Sequence, residues 1–180
     1  MRKLTATLIC TLICAIFAGC GQAAVRLSYV GGEEYSSTTV TSGGNETADE
    51  DEYARYAALN DTGYKYQLGI EVKRDYEKAV ECYRAAAEYG IPEAITNLGY
   101  CYERGLGVEQ DYARAFALYS KAAELGEYTA INNLGWCYEQ GLGIEQDYDK
   151  AYELYSRAAE GGNSLAYENM RYLEEAGLVK

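Results

Sequence analysis

The chain has 180 residues, 48% apolar and 24% charged, which is enough for one core and too little for two large domains. Sixteen Lys and Arg stand against 28 Asp and Glu, so the net charge of −12 lacks the basic footprint that nucleic acid requires and excludes it as a partner. Histidine is absent, which removes Ser/His/Asp and Cys/His relays, histidine general bases and every His-containing zinc site.

The N-terminus reads Met1-Arg2-Lys3, then an apolar run from Leu4 to Phe17, then Ala18-Gly19-Cys20. A basic start and a run too short to cross a bilayer core of roughly 30 Å comfortably predict a secretory signal over residues 1–19. The stretch Phe17-Ala18-Gly19-Cys20 resembles a bacterial lipobox. That resemblance implies lipid on Cys20 and a chain anchored to a bacterial membrane in the cell envelope. Cleavage near Gly21-Gln22-Ala23 would instead release a soluble secreted or periplasmic protein. Residues 20–52 are rich in Gly, Ser and Thr and set Arg26 against Glu33, Glu34, Glu46, Asp49, Glu50, Asp51 and Glu52. Such a composition is expected to form a flexible acidic linker to a folded domain over residues 53–180.

Of the six cysteines, Cys10 and Cys14 fall in the signal and Cys20 in the lipobox, leaving Cys82, Cys101 and Cys137. An odd set at apolar positions of the pattern below reads as small core residues, with a Cys82–Cys101 bridge as the alternative. No Cys-x-x-Cys pair occurs, so neither a metal nor any other cofactor is expected.

Beyond residue 53 the chain repeats itself. An offset of 36 lays Ala94 to Tyr112 on Ala130 to Tyr148, with Asn97-Leu98-Gly99, Cys101-Tyr102-Glu103, Gly105-Leu106-Gly107 and Glu109-Gln110-Asp111-Tyr112 each finding a counterpart. A more diverged copy runs through Gly63, Tyr66, Gly69, Asp75, Tyr76, Ala79 and Tyr83, and a final partial copy keeps Ala166, Asn169 and Gly177. A period in the 30s with helical spacing predicts an all-α chain, an α/α solenoid of about three 36-residue helix-loop-helix repeats (58–93, 94–129, 130–165) closed by a capping helix over 166–180. Within each copy the glycine of the first helix, Gly99 or Gly135, implies close helix contact. Asp75, Asp111 and Asp147 are placed to cap the second helix. The Gly-x-Gly pairs follow a helix and lack the lysine of a phosphate loop, so they read as joints.

Ala, Leu-Gly, Tyr, Gly-x-Gly, Asp-Tyr, Ala, Tyr, Ala-Ala and Gly, as they stand from Ala94 to Gly126 and from Ala130 to Gly162, resemble the Sel-1-like repeat, a relative of the tetratricopeptide repeat. The resemblance implies a non-catalytic scaffold or adaptor that binds a peptide or protein in the concave groove of the array. The first copy departs from the pattern at Lys65, where the others have Cys, and at Glu71, where they have the second loop glycine.

On the first helix of each repeat, residues three and four apart share a face that the packing motif leaves unclaimed. Asn97, Tyr100 and Arg104 form one such stripe, Asn133, Trp136 and Gln140 the next, and Asn169 and Tyr172 extend it. Asparagine can clamp an extended peptide backbone, and the rings offer anchoring area, so these are the expected partner-binding residues, with no catalytic residue among them. An acidic domain should favour a neutral or basic segment of another envelope protein or peptide. A homodimer through an open end of so short an array is a further expectation. The alternatives are an envelope hydrolase acting on cell wall or β-lactam, against which stands the absence of any Ser-x-x-Lys, and a passive structural spacer.

Overall fold

The computed structural model describes residues 46–179; the signal segment, Cys20 and the linker up to residue 45 lie outside the described residues. Among the described residues seven helices follow one another: α1 (Glu46–Leu68), α2 (Tyr76–Tyr89), α3 (Pro92–Arg104), α4 (Tyr112–Glu124), α5 (Tyr128–Gln140), α6 (Tyr148–Glu160) and α7 (Ser164–Glu175). Among the described residues there is no strand, and the fold is an all-α solenoid. Helices α1, α3 and α5 each pack most heavily on the even helix that follows, and α2, α4 and α6 each pack in turn on the first helix of the next unit.

Helix α1 begins at Glu46 rather than near residue 53, so the acidic stretch expected to belong wholly to the linker supplies its first turns. Acids at a helix N-terminus oppose the partial positive charge of the unsatisfied amides there, which favours helix over coil. Tyr56 then stacks on Tyr89 at 4.4 Å and Tyr53 meets the same ring edge-on at 6.4 Å, fastening this extension to the end of α2.

The three loops inside the repeats close in the same way. The Asp75, Asp111 and Asp147 carboxylates accept from the amides of Lys78, Arg114 and Lys150 at 3.1, 2.9 and 2.9 Å, capping α2, α4 and α6. The side chain of Gln110 donates to the Glu103 carbonyl at 2.7 Å and to the Tyr112 hydroxyl at 2.9 Å, and Gln146 repeats both bonds on Glu139 and Tyr148. This explains the recurring Glu-Gln-Asp-Tyr: the amide satisfies a carbonyl that the end of the helix would leave open.

The core is built on a glycine and a tyrosine. A Cβ on Gly99 would stand 2.8 Å from the Tyr119 ring, and one on Gly135 or Gly63 would stand 2.7 Å from Tyr155 or Tyr83. The missing side chain is thus the seat of a ring from the second helix. All three tyrosines are fully buried, and each finds a polar partner for its hydroxyl: Tyr83 donates to Gln67 at 2.6 Å, Tyr119 to Glu103 at 2.9 Å and Tyr155 to Glu139 at 2.6 Å. Cys101 and Cys137 are buried, and Cys82 is half-buried; all three are free thiols, so the Cys82–Cys101 bridge does not form.

Both ends of the array carry polar residues where its middle is apolar. In the second repeat Leu98 and Cys101 are buried in one cluster with Ala79, Val80 and Tyr83 of α2. Their counterparts Thr62 and Lys65 are exposed, since no described helix precedes α1. At the other end Arg171 and Glu174 stand where α5 has Gly135 and Tyr138, and they bond to Glu175 at 3.2 Å and Tyr152 at 2.5 Å.

Candidate functional site

The stripe residues divide into those that join helices and those that line a cavity. Asn97 donates to Asn60 at 2.9 Å, tying α3 to α1, and Asn169 donates to Asn132 at 3.1 Å, tying α7 to α5. Asn133 accepts from the side chain of Asn132 at 3.3 Å. All three stripe asparagines are half-buried, and each spends part of its amide on the array itself. Tyr172 is exposed on α7 and lies outside the cavity described next.

Arg104, Trp136 and Gln140 come together. With Glu103, Gln110, Tyr112 and Leu142 they line a cavity of about 240 Å3 between the second and third repeats. Arg104 and Gln140 are there because both end a first helix just before its glycine cap, and Trp136 because it lies one turn earlier on the neighbouring helix. Tyr100 supports the site from beneath: the Arg104 guanidinium lies over its ring, 5.7 Å from the centroid.

The floor is a buried carboxylate that the stripe pattern did not reveal. Glu103 is 7% exposed, takes a hydrogen bond from the Tyr119 hydroxyl at 2.9 Å and forms an ion pair with the Arg104 Nε at 3.0 Å. Glu139, 6% exposed, is held alike by Tyr155 at 2.6 Å and by the Gln140 amide at 2.9 Å. Two partners per carboxylate offset the cost of taking it out of water. The available signal was the recurrence of a glutamate 16 residues before Tyr119 and Tyr155. Gln110, Tyr112 and Leu142 were equally present in the repeat motif, but there they read as loop structure.

A second cavity, of about 420 Å3, is lined by Arg84, Tyr102, Val108, Glu109, Gln110, Asp111 and Arg114. It is larger, yet no stripe residue reaches it. Volume alone does not make it the better site.

Neither cavity offers an activated nucleophile. Burial pushes the Cys101 thiol up to about 11 and the Cys137 thiol to about 12, away from the reactive thiolate. Burial likewise raises the Tyr83, Tyr119 and Tyr155 hydroxyls, keeping them as neutral donors to their partners. Among the described residues no group of three or more Cys, Asp or Glu is placed to hold a metal ion, and no helix is long and apolar enough to cross a membrane.

Comparison with solved structures finds similar folds in bacteria. A Sel1 repeat protein from Oxalobacter formigenes shares 32% identity over 74% of this chain and 60% of its own, with a TM-score of 0.65. A protective antigen of uropathogenic Escherichia coli displaying an SLR fold shares 36% identity over 70% of this chain and 27% of its own, also at 0.65. The chain therefore spans only part of the length of either. The cysteine-rich protein B of Helicobacter pylori matches in fold alone, at 21% identity over 69% of this chain and 98% of its own, with a TM-score of 0.54. Comparison with curated protein sequences gives no match. The Sel1 repeat profile matches residues 57–90, 92–127 and 129–163, more than half of the sequence. The chain belongs to the Sel1 repeat family, whose arrays generally act as scaffolds for protein–protein interaction and are typically non-catalytic.

Proposed function

We propose that the protein is a non-catalytic adaptor of the bacterial cell envelope, anchored by lipid on Cys20 and binding an extended segment of another envelope protein along its stripe face. The segment is neutral or basic overall, because the domain around it is acidic. The observation that carries this reading is the convergence of Arg104, Trp136 and Gln140, drawn from two repeats, on one cavity with an indole wall and a fixed guanidinium. Buried anchors flanked by oriented polar groups are what peptide recognition uses. The asparagines act chiefly by holding the first helices side by side, so that the aromatic residues keep their spacing.

The test is to immobilise the full-length protein beside a Trp136→Ala variant of equal helicity, pass envelope extract over both, and reconstitute binding with the purified retained protein. A partner that saturates the wild type and is weakened at least about tenfold by Trp136→Ala, the loss expected of an interface hot spot, supports the adaptor. Equal affinity for both would remove the site from this cavity. Fatty-acid labelling that persists in Cys20→Ala would remove the anchor.

A further inference from the structure

The geometry points to Arg104 as the receptor for a single carboxylate of the bound peptide, seated against the Trp136 ring in the cavity between the second and third repeats. This rests on the peptide-binding reading above and specifies its chemistry. Arg104 is bound through one nitrogen only, its Nε to Glu103 at 3.0 Å, while the Tyr100 ring lies under the guanidinium. The two Nη nitrogens have no bond among the described residues and form the outward edge of a planar fork whose orientation is already set. Such a fork matches the two oxygens of a carboxylate.

Other groups around the cavity point to the same occupant. The Tyr112 hydroxyl accepts from Gln110 at 2.9 Å, which leaves its own hydrogen free to donate, and Trp136, whose indole carries one N–H, also lines the cavity. Glu103 is the one acid in the lining, and both of its oxygens are taken by Tyr119 and Arg104. The remaining lining, Leu142 and Trp136, is apolar.

The neighbouring repeats show that the frame does not require this charge. Glu139 and Tyr155 hold Gln140 as Glu103 and Tyr119 hold Arg104, and in the first repeat the corresponding residues are Gln67, Tyr83 and Leu68. The outermost position thus changes from Leu to Arg to Gln along the array while the support beneath it is kept, as expected of a position that reads the ligand. Arg104 is also the single charged residue among the stripe positions of the second and third repeats. The one cation lining this cavity, within a domain of net negative charge, selects one carboxylate in a segment otherwise neutral or basic, because a run of acids would be repelled by the surrounding surface.

The experiment uses full-length protein and ten-residue peptides in which one position is scanned as Glu or Gln, the others being mixed, each made with a free or an amidated C-terminus. Trp136 is the sole tryptophan, so its emission reports occupancy of this cavity. Glu peptides are expected to bind about tenfold more tightly than their Gln twins in at least one register, and a preference for the free C-terminus instead would identify the chain end as the carboxylate source. Arg104→Gln, which copies the Glu139–Gln140 arrangement, should erase that preference while retaining weak binding. Equal binding of the twins by the wild type, or a preference that survives Arg104→Gln, overturns the carboxylate assignment and leaves peptide binding standing. Absence of binding by every peptide overturns both.

Discussion

The first and second repeats follow one plan and differ where a neighbour is present or absent. Gly63 and Gly99 both seat a buried tyrosine, and Asp75 and Asp111 both cap the second helix, because these contacts lie inside a repeat. Positions that face the preceding repeat diverge. Cys101 lies against α2, whereas Lys65 faces solvent and pairs with Glu71 at 2.6 Å. Gly107 and Glu71 share a left-handed backbone, with φ of 70° and 62°. A Cβ on Gly107 would run into the backbone carbonyl of Tyr76, while Glu71 has no earlier helix among the described residues to meet. Sequence departures in the first copy therefore fall where no preceding helix stands among the described residues.

The largest expected effect tests that contrast directly. Gly107→Ala combines left-handed strain with a backbone collision and should cost about 2–5 kcal/mol, whereas Glu71→Gly should stay within about 1 kcal/mol of the wild type. Urea unfolding of the two variants measures both, and equal losses would break the comparison.

Next in size is the buried tyrosine pair. Tyr119→Phe leaves the Glu103 carboxylate short of a donor and should cost about 1.5–3 kcal/mol; Tyr83→Phe, which strips a neutral Gln67, should cost about 1 kcal/mol. A smaller loss at Tyr119 than at Tyr83 would show that the carboxylate is better solvated than its burial indicates.

Alkaline pH gives a third contrast, since the second and third repeats bury a thiol where the first has Lys65. Burial raises Cys101 and Cys137 from the ordinary 9.0 to about 11 and about 12, so the folded state keeps protons that the unfolded chain releases. Their contribution is complete below pH 9.0 and is lost as pH rises toward those values, with the buried tyrosines adding to the loss above 10.0. Replacing both cysteines by Ala should flatten the pH dependence of unfolding between 9 and 11; an unchanged slope would assign it to the tyrosines alone.

The smallest effect is that of Arg104→Gln on stability. The Arg104 side chain is 56% exposed, and a glutamine can donate to Glu103 as Gln140 does to Glu139, so a change below about 1 kcal/mol is expected in thermal unfolding. A loss as large as that of Tyr119→Phe would make Arg104 part of the fold rather than of a binding site.

Much of this was legible in the residues themselves. The offset of 36 fixes the repeat because contacts within a repeat are local, so Gly99, Asp111 and Tyr119 recur wherever their partners recur. Helical spacing also placed Arg104 on one face with Asn97 and Tyr100. Spacing along one helix carries no information about what the next helix brings near. Asn97 and Trp136 look alike as stripe positions, yet one fastens α3 to α1 and the other walls a cavity.

Sequence alone determined the helix pairs, their caps and the family, since each depends on contacts between residues fewer than 40 apart in a repeating pattern. Tertiary structure alone decided which polar groups remain available to a ligand. Glu103 reads as a surface acid until Tyr119 and Arg104 are seen to close over it, and Arg104 reads as one base among many until its Nε is seen to be fixed and its outer edge left open. Availability is what remains after every internal hydrogen bond has been made, and those bonds are set by the packing of whole helices against one another.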